Sequence, residues 1–430
     1  MAFLSVEYED HVFAGSPLIS LVPGTEVVEG SRWRAEEGGW CHLLRPIRPE
    51  HLERQVRSVS LYVTFTDHTL QGEILLDDMA LWAWRGSHEP VSPAARLKTP
   101  NFQKPVPPHT TDLRDAGEPR CVRKVFQNYR LPEVMVDPSR DLVTLATQLS
   151  VDRIDHLVMQ AKNWEGPLSV ALYVPEALEK HAAQVIRELV AAEENIRRYA
   201  KIHLVLERGD GCLFPINFLR NVAMVEAVTP YVLILDVDLL PSTGSTRAIS
   251  KEIKNYFSET PAAERDRTVF VVPAFELQHS PVLPMSKEMV IARLEEGTVA
   301  PFLFQKKVAS QFSTNYAAWA RATRPYAVIP SDQYEPFVVV PSALKDTVLF
   351  DDNLAGYGLN KVLFTAALVR GGFTMQVLAH SYAVHLGHKP SEAKVAWTAD
   401  PLVRLRQHHY QQAFIRECQH QESPPDTLAA

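Results

Sequence analysis

From position 141 onward the chain alternates short apolar runs with longer amphipathic stretches. Leu142 to Thr147 and Leu168 to Val174 are apolar and rich in β-formers, as buried strands are. Between them Ser150 is a good N-cap for a helix whose apolar face is Ile154, Leu157, Val158 and Ala161, and Trp164-Glu-Gly-Pro167 breaks that helix. Residues 175–200 follow as a helix with Val185, Leu189 and Ile196 on its apolar side. Ile202–Leu206 is a third strand, 217–227 a helix and Tyr231–Leu235 a fourth strand. Further on, Thr268–Val272, Pro336–Val340 and Thr374–Leu378 read as strands, and 286–296 and 360–370 as helices. Alternating strands and helices predict an α/β fold, a parallel sheet with helices on both faces. Ligands of such sheets bind beyond the carboxyl ends of the strands.

The first part of the chain has another pattern. Residues 1–86 carry β-forming segments at Gly39–Leu44, Val59–Thr66 and Glu73–Trp82, separated by turn residues. They resemble the last strands of a jelly-roll carbohydrate-binding module. The alternative is a β accessory region that covers an edge of the following domain. Residues 87–138 hold Pro90, Pro93, Pro100, Pro105, Pro107, Pro108 and Pro119 and read as an extended connector. The main domain is expected over 139–395. A helical extension and a disordered tail, ending SPPDTLAA, are expected over 396–430.

Composition narrows the class. A net charge of -7 gives no reason to expect a nucleic-acid partner. No apolar run approaches the roughly 20 residues of a membrane span, and the N-terminus has no signal-peptide pattern. No Asn-x-Ser/Thr acceptor occurs, which tilts the expected compartment toward the cytosol; the alternative is the Golgi lumen, for a truncated or unusual chain. Cys41, Cys121, Cys212 and Cys418 lie far apart without metal-site spacing and read as free thiols, with one long-range disulfide as the alternative.

The fourth strand ends in chemistry. YVLILDVDLLPS (231–242) breaks from an apolar run into Asp236 and Asp238. Side chains at i and i+2 of an extended segment point the same way. Two carboxylates so placed repel unless a cation neutralises them, and oxygen ligands suit Mn²⁺ or Mg²⁺. Such an ion would hold a diphosphate, the logic of an Asp-x-Asp motif in transferases that use nucleotide sugars. Asp77-Asp78 has similar acids, but nothing near it looks catalytic.

Several ordered segments join this one: 143–175, 214–242, VVPAFE (271–276), STNYAAW (313–319), YEPFVVV (334–340), FDDNLAGYGLNKV (350–362) and VHLGHKPS (384–391). Together, over about 141–391, they resemble the LARGE-type glucuronyltransferases, with the β-1,4-glucuronyltransferases, of glycosyltransferase family 49. The resemblance implies a GT-A (Rossmann-like) fold, a UDP-sugar donor, a glycan acceptor, Mn²⁺ and inversion at the anomeric carbon. Asp236 and Asp238 match the family's metal-binding pair, and His385 the late histidine ligand, with His388 competing. Arg220 and Asn221 match the helix before the motif; Arg220 is expected to face donor phosphate or an acid, and Asn221 backbone near the nucleotide. Gly387 and Lys389 fall where a diphosphate would be approached. The general base that an inverting transfer needs is expected at Asp351, with Glu335, Asp352 and Glu276 as alternatives. Lys361 would contact a carboxylated or phosphorylated sugar. Leu359 replaces a larger aromatic, and His-Leu-Gly-His replaces His-x-Pro-His, which leaves the donor sugar and acceptor open. The rival classes are a sugar nucleotidyltransferase, for which the glycine-rich phosphate loop is missing, and a glycan-binding protein with a relict site.

Overall fold

A computed structural model describes the backbone of residues 2–8, 13–19, 32–35, 41–44 and 56–63. It also describes 121–399, except 138–141, 210–211, 279–282, 284–285, 305–306, 332, 353, 355 and 359. The expected strand Glu73–Trp82, the Asp77-Asp78 pair and the C-terminal tail lie outside these residues.

One sheet of twelve strands organises the described residues. Its order is Val56–Val63, Ala2–Tyr8, Phe13–Ile19, Tyr326–Ile329, Thr374–Val377, Thr268–Val272, Phe337–Pro341, Tyr231–Ile234, Val143–Ser150, Leu168–Pro175, Ala200–Arg208 and Val122–Arg130. Tyr231–Ile234, Val143–Ser150, Leu168–Pro175 and Ala200–Arg208 run parallel, as their helical crossovers require. Phe337–Pro341 runs antiparallel to both its neighbours, so the sheet is mixed rather than parallel. Every residue of that strand is buried. An apolar run covered on both faces carries no sign of its direction.

Side chains alternate across the sheet. Val143, Leu145 and Leu149 enter one apolar core, and Ala146, Val232 and Ile234 enter the other. Burying each such Val, Leu or Ile contributes roughly 1.5–3 kcal/mol, so the two faces together hold the strand ends in place. Ser150 bonds Asp152 instead of capping, and the helix starts at Ile154. The 175–200 stretch is two helices, Glu179–Ala192 and Glu194–Tyr199, and strand resumes at Ala200.

Two expectations need correction. The connector 87–138 contains the edge strand Val122–Arg130, antiparallel to Ala200–Arg208, where prolines no longer interrupt the chain. Arg123 fastens it to Glu207 at 2.6 Å. Cys121 and Cys212 are not free thiols but a disulfide, with Cα atoms 5.9 Å apart. Strand pairing brings together two cysteines that spacing along the chain could not relate.

A second sheet of four strands sits at the end of the first. Leu239–Pro241, Ala383–His385, Ala274–Leu277 and Val299–Pro301 lie side by side in that order. Its register sets Leu239 against His385, and His385 against Glu276.

Candidate active site

The Tyr231–Ile234 strand leaves the large sheet at Leu235, whose amide still donates to Ala146 at 3.1 Å. Asp236 comes next and meets three donors from three elements. Gln148, near the end of the adjacent parallel strand, donates to Oδ1 at 2.7 Å. Arg220, on the helix Ile216–Val225, donates to the same oxygen at 2.7 Å. Lys361, on the helix Asn360–Arg370, lies 3.1 Å from Oδ2. Burial pushes the Asp236 carboxyl up, but Arg220 and Lys361 outweigh it and hold it down at about 2. Arg220 is 3% exposed, accepts company from the Phe350 ring at 5.1 Å and also donates to Asn217. Lys361 lies over the Phe337 ring at 3.9 Å. Gln160 donates to the carbonyls of Asp236 and Leu239, which fixes the turn between them.

Asp238 faces a different set. Its backbone carbonyl accepts from Leu386, which ties it to the segment after His385. His388 Nε2 lies 2.9 Å and His385 Nε2 3.5 Å from Asp238 Oδ2. Ligand atoms of Asp238, His385 and His388 all lie within 4.8 Å of one another, the spacing of a metal site. His388 Nδ1 lies 2.7 Å from the Lys389 carbonyl, which can only accept, so Nδ1 carries a proton. In a neutral ring Nε2 would then present a lone pair to a carboxylate. The contact is favourable only with a cation there, either a proton on Nε2 or a divalent metal between the two atoms. A metal-binding histidine commonly donates its other N–H to a carbonyl in this way. Without metal the proton fills the role, and the Asp238 bond raises the His388 pKa despite burial. Asp238 Oδ1 is buried with no partner, a costly state that a ligand would relieve. The donor set, one carboxylate and two imidazoles, fits Mn²⁺.

The two acids therefore have separate surroundings. Asp238 joins His385 and His388, whereas Asp236 sits between two cations. Asn221 commits its side chain to Phe350, donating to its carbonyl at 2.8 Å and accepting from its amide at 2.9 Å. That clamp fixes the start of the segment that carries Asp351. Asp351 is partly buried and its carbonyl accepts from Asn217 at 2.7 Å, while Asp352 is exposed. Gly356 follows at φ 77° with its amide on the Phe214 carbonyl. Glu335 pairs with Lys307, and Glu276 accepts from Gln278 on the strand beside His385. Gly387 is exposed, and a Cβ there would meet no described atom within 4 Å. Lys389 is exposed, and its carbonyl accepts from Arg153 as well as His388.

Sequence reading missed Gln148, Gln160, Arg153 and His156. His156, on the first helix, meets the His388 ring edge-on at 5.4 Å, and burial first, then Arg153, lowers its pKa. Gln148 had a visible signal: a long amide side chain inside a strand of buried pattern needs a partner.

The end of this strand thus brings Asp238 together with two histidines that could hold a metal ion, and sets Asp236 between two cations. The family model described as "Glycosyl-transferase for dystroglycan" matches residues 142–211 and 207–422. The chain belongs to this family of glycosyltransferases. It is 35% identical over 262 residues to the xylosyl- and glucuronyltransferase LARGE2 of Homo sapiens, covering 61% of this chain and 35% of that protein. It is 34% identical over 259 residues to LARGE1 of Mus musculus, covering 59% and 32%. The match thus spans about a third of the length of these curated relatives. Among solved structures, S. aureus TarS (residues 1–349) overlaps with a TM-score of 0.35 and 13% identity, over 56% of this chain and 60% of that one. GalNAc-T7 with UDP, GalNAc and Mn²⁺ gives 0.37 and 10%, over 59% and 45%. Overlaps this loose add nothing to the argument for the site.

Proposed function

We propose that this glycosyltransferase moves glucuronic acid, or a related sugar, from a UDP donor to a glycan hydroxyl, with inversion and with Mn²⁺ or Mg²⁺. The carrying observation is the Asp238–His385–His388 cluster, whose hydrogen-bonding pattern calls for a cation. Those three residues would hold the ion, which, when bound, offsets charge on the departing diphosphate. Arg220 and Lys361 keep Asp236 ionised and fixed at the rim of the sheet. Lys361, paired with Asp236, would in this reading also meet the carboxylate of the donor sugar. Lys389 reaches solvent beside His388 and suits a diphosphate.

Asp351 is the base in this reading. Its carboxylate takes the acceptor hydroxyl proton as that oxygen attacks the anomeric carbon, and the bond to UDP breaks on the opposite face. Glu335 is the second choice, because its carboxylate is already engaged by Lys307. The Cys121–Cys212 bridge favours an oxidising compartment over the cytosol.

The test is a panel of UDP-sugars incubated with an acceptor glycan and Mn²⁺, with UDP release measured. Release with one or a few donors, lost in EDTA, supports the proposal. No release with any donor, alongside retained glycan binding, would mark a binding protein with a relict site.

A further inference from the structure

A second recess lies at the other end of the large sheet. Leu142 and Pro167 line it, just before the Val143–Ser150 and Leu168–Pro175 strands, whereas Asp236 follows the carboxyl end of a strand parallel to these. The eight residues of Val143–Ser150 separate the two ends by about 25 Å. The cleft has a volume of about 620 Å³, enough for two or three sugar rings.

Its chemistry is specific. The helix Ser245–Glu259 presents Arg247, Lys251 and Lys254 to it, spaced i, i+4 and i+7 on one face. All three are exposed, and no ion pair or hydrogen bond joins their side chains to a described residue. Like charges at this spacing destabilise a helix by a few tenths of a kcal/mol, so the row is a cost to the fold without an anionic partner. Tyr199, half-buried, supplies an aromatic wall, and Asn255 an amide. Glu165 and Asp137 also line the cleft. Two carboxylates among three cations disfavour a densely charged polyphosphate or nucleic acid, but a carboxylate accepts hydrogen bonds from sugar hydroxyls. Cations, an aromatic wall and carboxylates together suit a polyhydroxylated chain with widely spaced negative charges.

We propose that this cleft binds an acidic glycan, a chain carrying uronic acid carboxylates, away from the catalytic centre. The step from anionic glycan to uronate rests on the donor proposed above. The cleft would retain the acidic product, or an acidic stretch of the acceptor, while the far end of the sheet performs transfer.

The experiment measures binding by the full chain in EDTA, without donor, so that it is independent of turnover. The probe is a tetrasaccharide alternating glucuronic acid with a neutral sugar; the comparators are the same tetrasaccharide with its carboxyls reduced to alcohols, and inorganic polyphosphate. The acidic probe is expected to bind, and the reduced probe at least about tenfold more weakly. Lys251→Glu/Lys254→Glu should lose binding by a similar factor, Arg247→Glu should weaken it, and UDP release on a short neutral acceptor should stay unchanged in both. Saturating UDP and Mn²⁺ should leave probe binding intact. Equal binding of the acidic and reduced probes, stronger binding of polyphosphate, unaltered binding by the double variant, or displacement by UDP and Mn²⁺ would each overturn the assignment. Failure of every UDP-sugar to turn over, with probe binding intact, would instead count against the proposed reaction and leave the cleft standing.

Discussion

Asp236→Asn and Asp238→Asn should behave differently although one residue separates them. Asp236 neutralises Arg220, which is 3% exposed, and its carboxyl is held at about 2 against an unfolded value of about 3.9. That difference corresponds to roughly 2–3 kcal/mol at neutral pH. Replacing it with an amide also leaves a buried guanidinium with weaker company, although Lys361 no longer needs neutralising. A net loss of about 3 kcal/mol is expected, a fall in Tm of roughly 6–12 °C for a domain of this size. Burial pushes the Asp238 carboxyl up, but hydrogen bonds from His385 and His388 outweigh it and hold it well below the usual carboxylate range, so Asp238→Asn should lower the metal-free Tm as well. The two variants should part on adding metal. An ion at a hundred times its Kd stabilises the native state by about 2.7 kcal/mol, a rise of several degrees in Tm. The assay is thermal unfolding of wild type and both variants, with and without MnCl₂. Wild type and Asp236→Asn should both shift upward with Mn²⁺, the latter from a lower start, and Asp238→Asn should not shift. A full Mn²⁺ shift in Asp238→Asn would falsify the Asp238–His385–His388 assignment. An unchanged metal-free Tm in Asp236→Asn would refute the electrostatic account of Arg220.

Acid should expose the same charge pair. Because the folded pKa of Asp236 lies below its unfolded value, its contribution is present above about pH 4 and lost as pH falls toward about 2. In metal-free protein, urea unfolding midpoints should drop more steeply over that window for wild type than for Asp236→Asn; parallel curves would contradict the pairing. Asp351→Asn should lower kcat about 100-fold or more with little change in donor affinity, as loss of a general base does; a near-normal rate would move the base to Glu335. Cys121→Ser should destabilise the fold by up to about 4–5 kcal/mol, because the bridge closes a sequence separation of 91. Peptide mapping without reductant should recover Cys121 linked to Cys212, and free alkylation of both in native protein would exclude the bridge. Gly356→Ala should cost about 1–3 kcal/mol, since the glycine has φ 77° and a Cβ would sit 2.6 Å from Trp397. Trp397→Ala should recover part of that loss in a double-mutant cycle, and strict additivity would show that the two do not touch.

The alternation of apolar runs and amphipathic stretches determined the α/β class, because a strand buried on both faces and a helix buried on one leave different periods in the chain. The same reading found Asp236 and Asp238, since two acids directly after an apolar strand form a local pattern. Tertiary structure decided how those acids divide. Arg220, Lys361 and Gln148 reach Asp236 from three separate elements, and His388 reaches Asp238 across 150 positions of chain. No local spacing encodes such encounters; they depend on which strands become neighbours and in what register. The direction of Phe337–Pro341 and the Cys121–Cys212 bridge were hidden for the same reason. Hydrophobic periodicity is a short-range property of the chain, and it specifies elements. Pairing of distant strands is a property of the packed whole, and it determines which charged groups meet in one small volume.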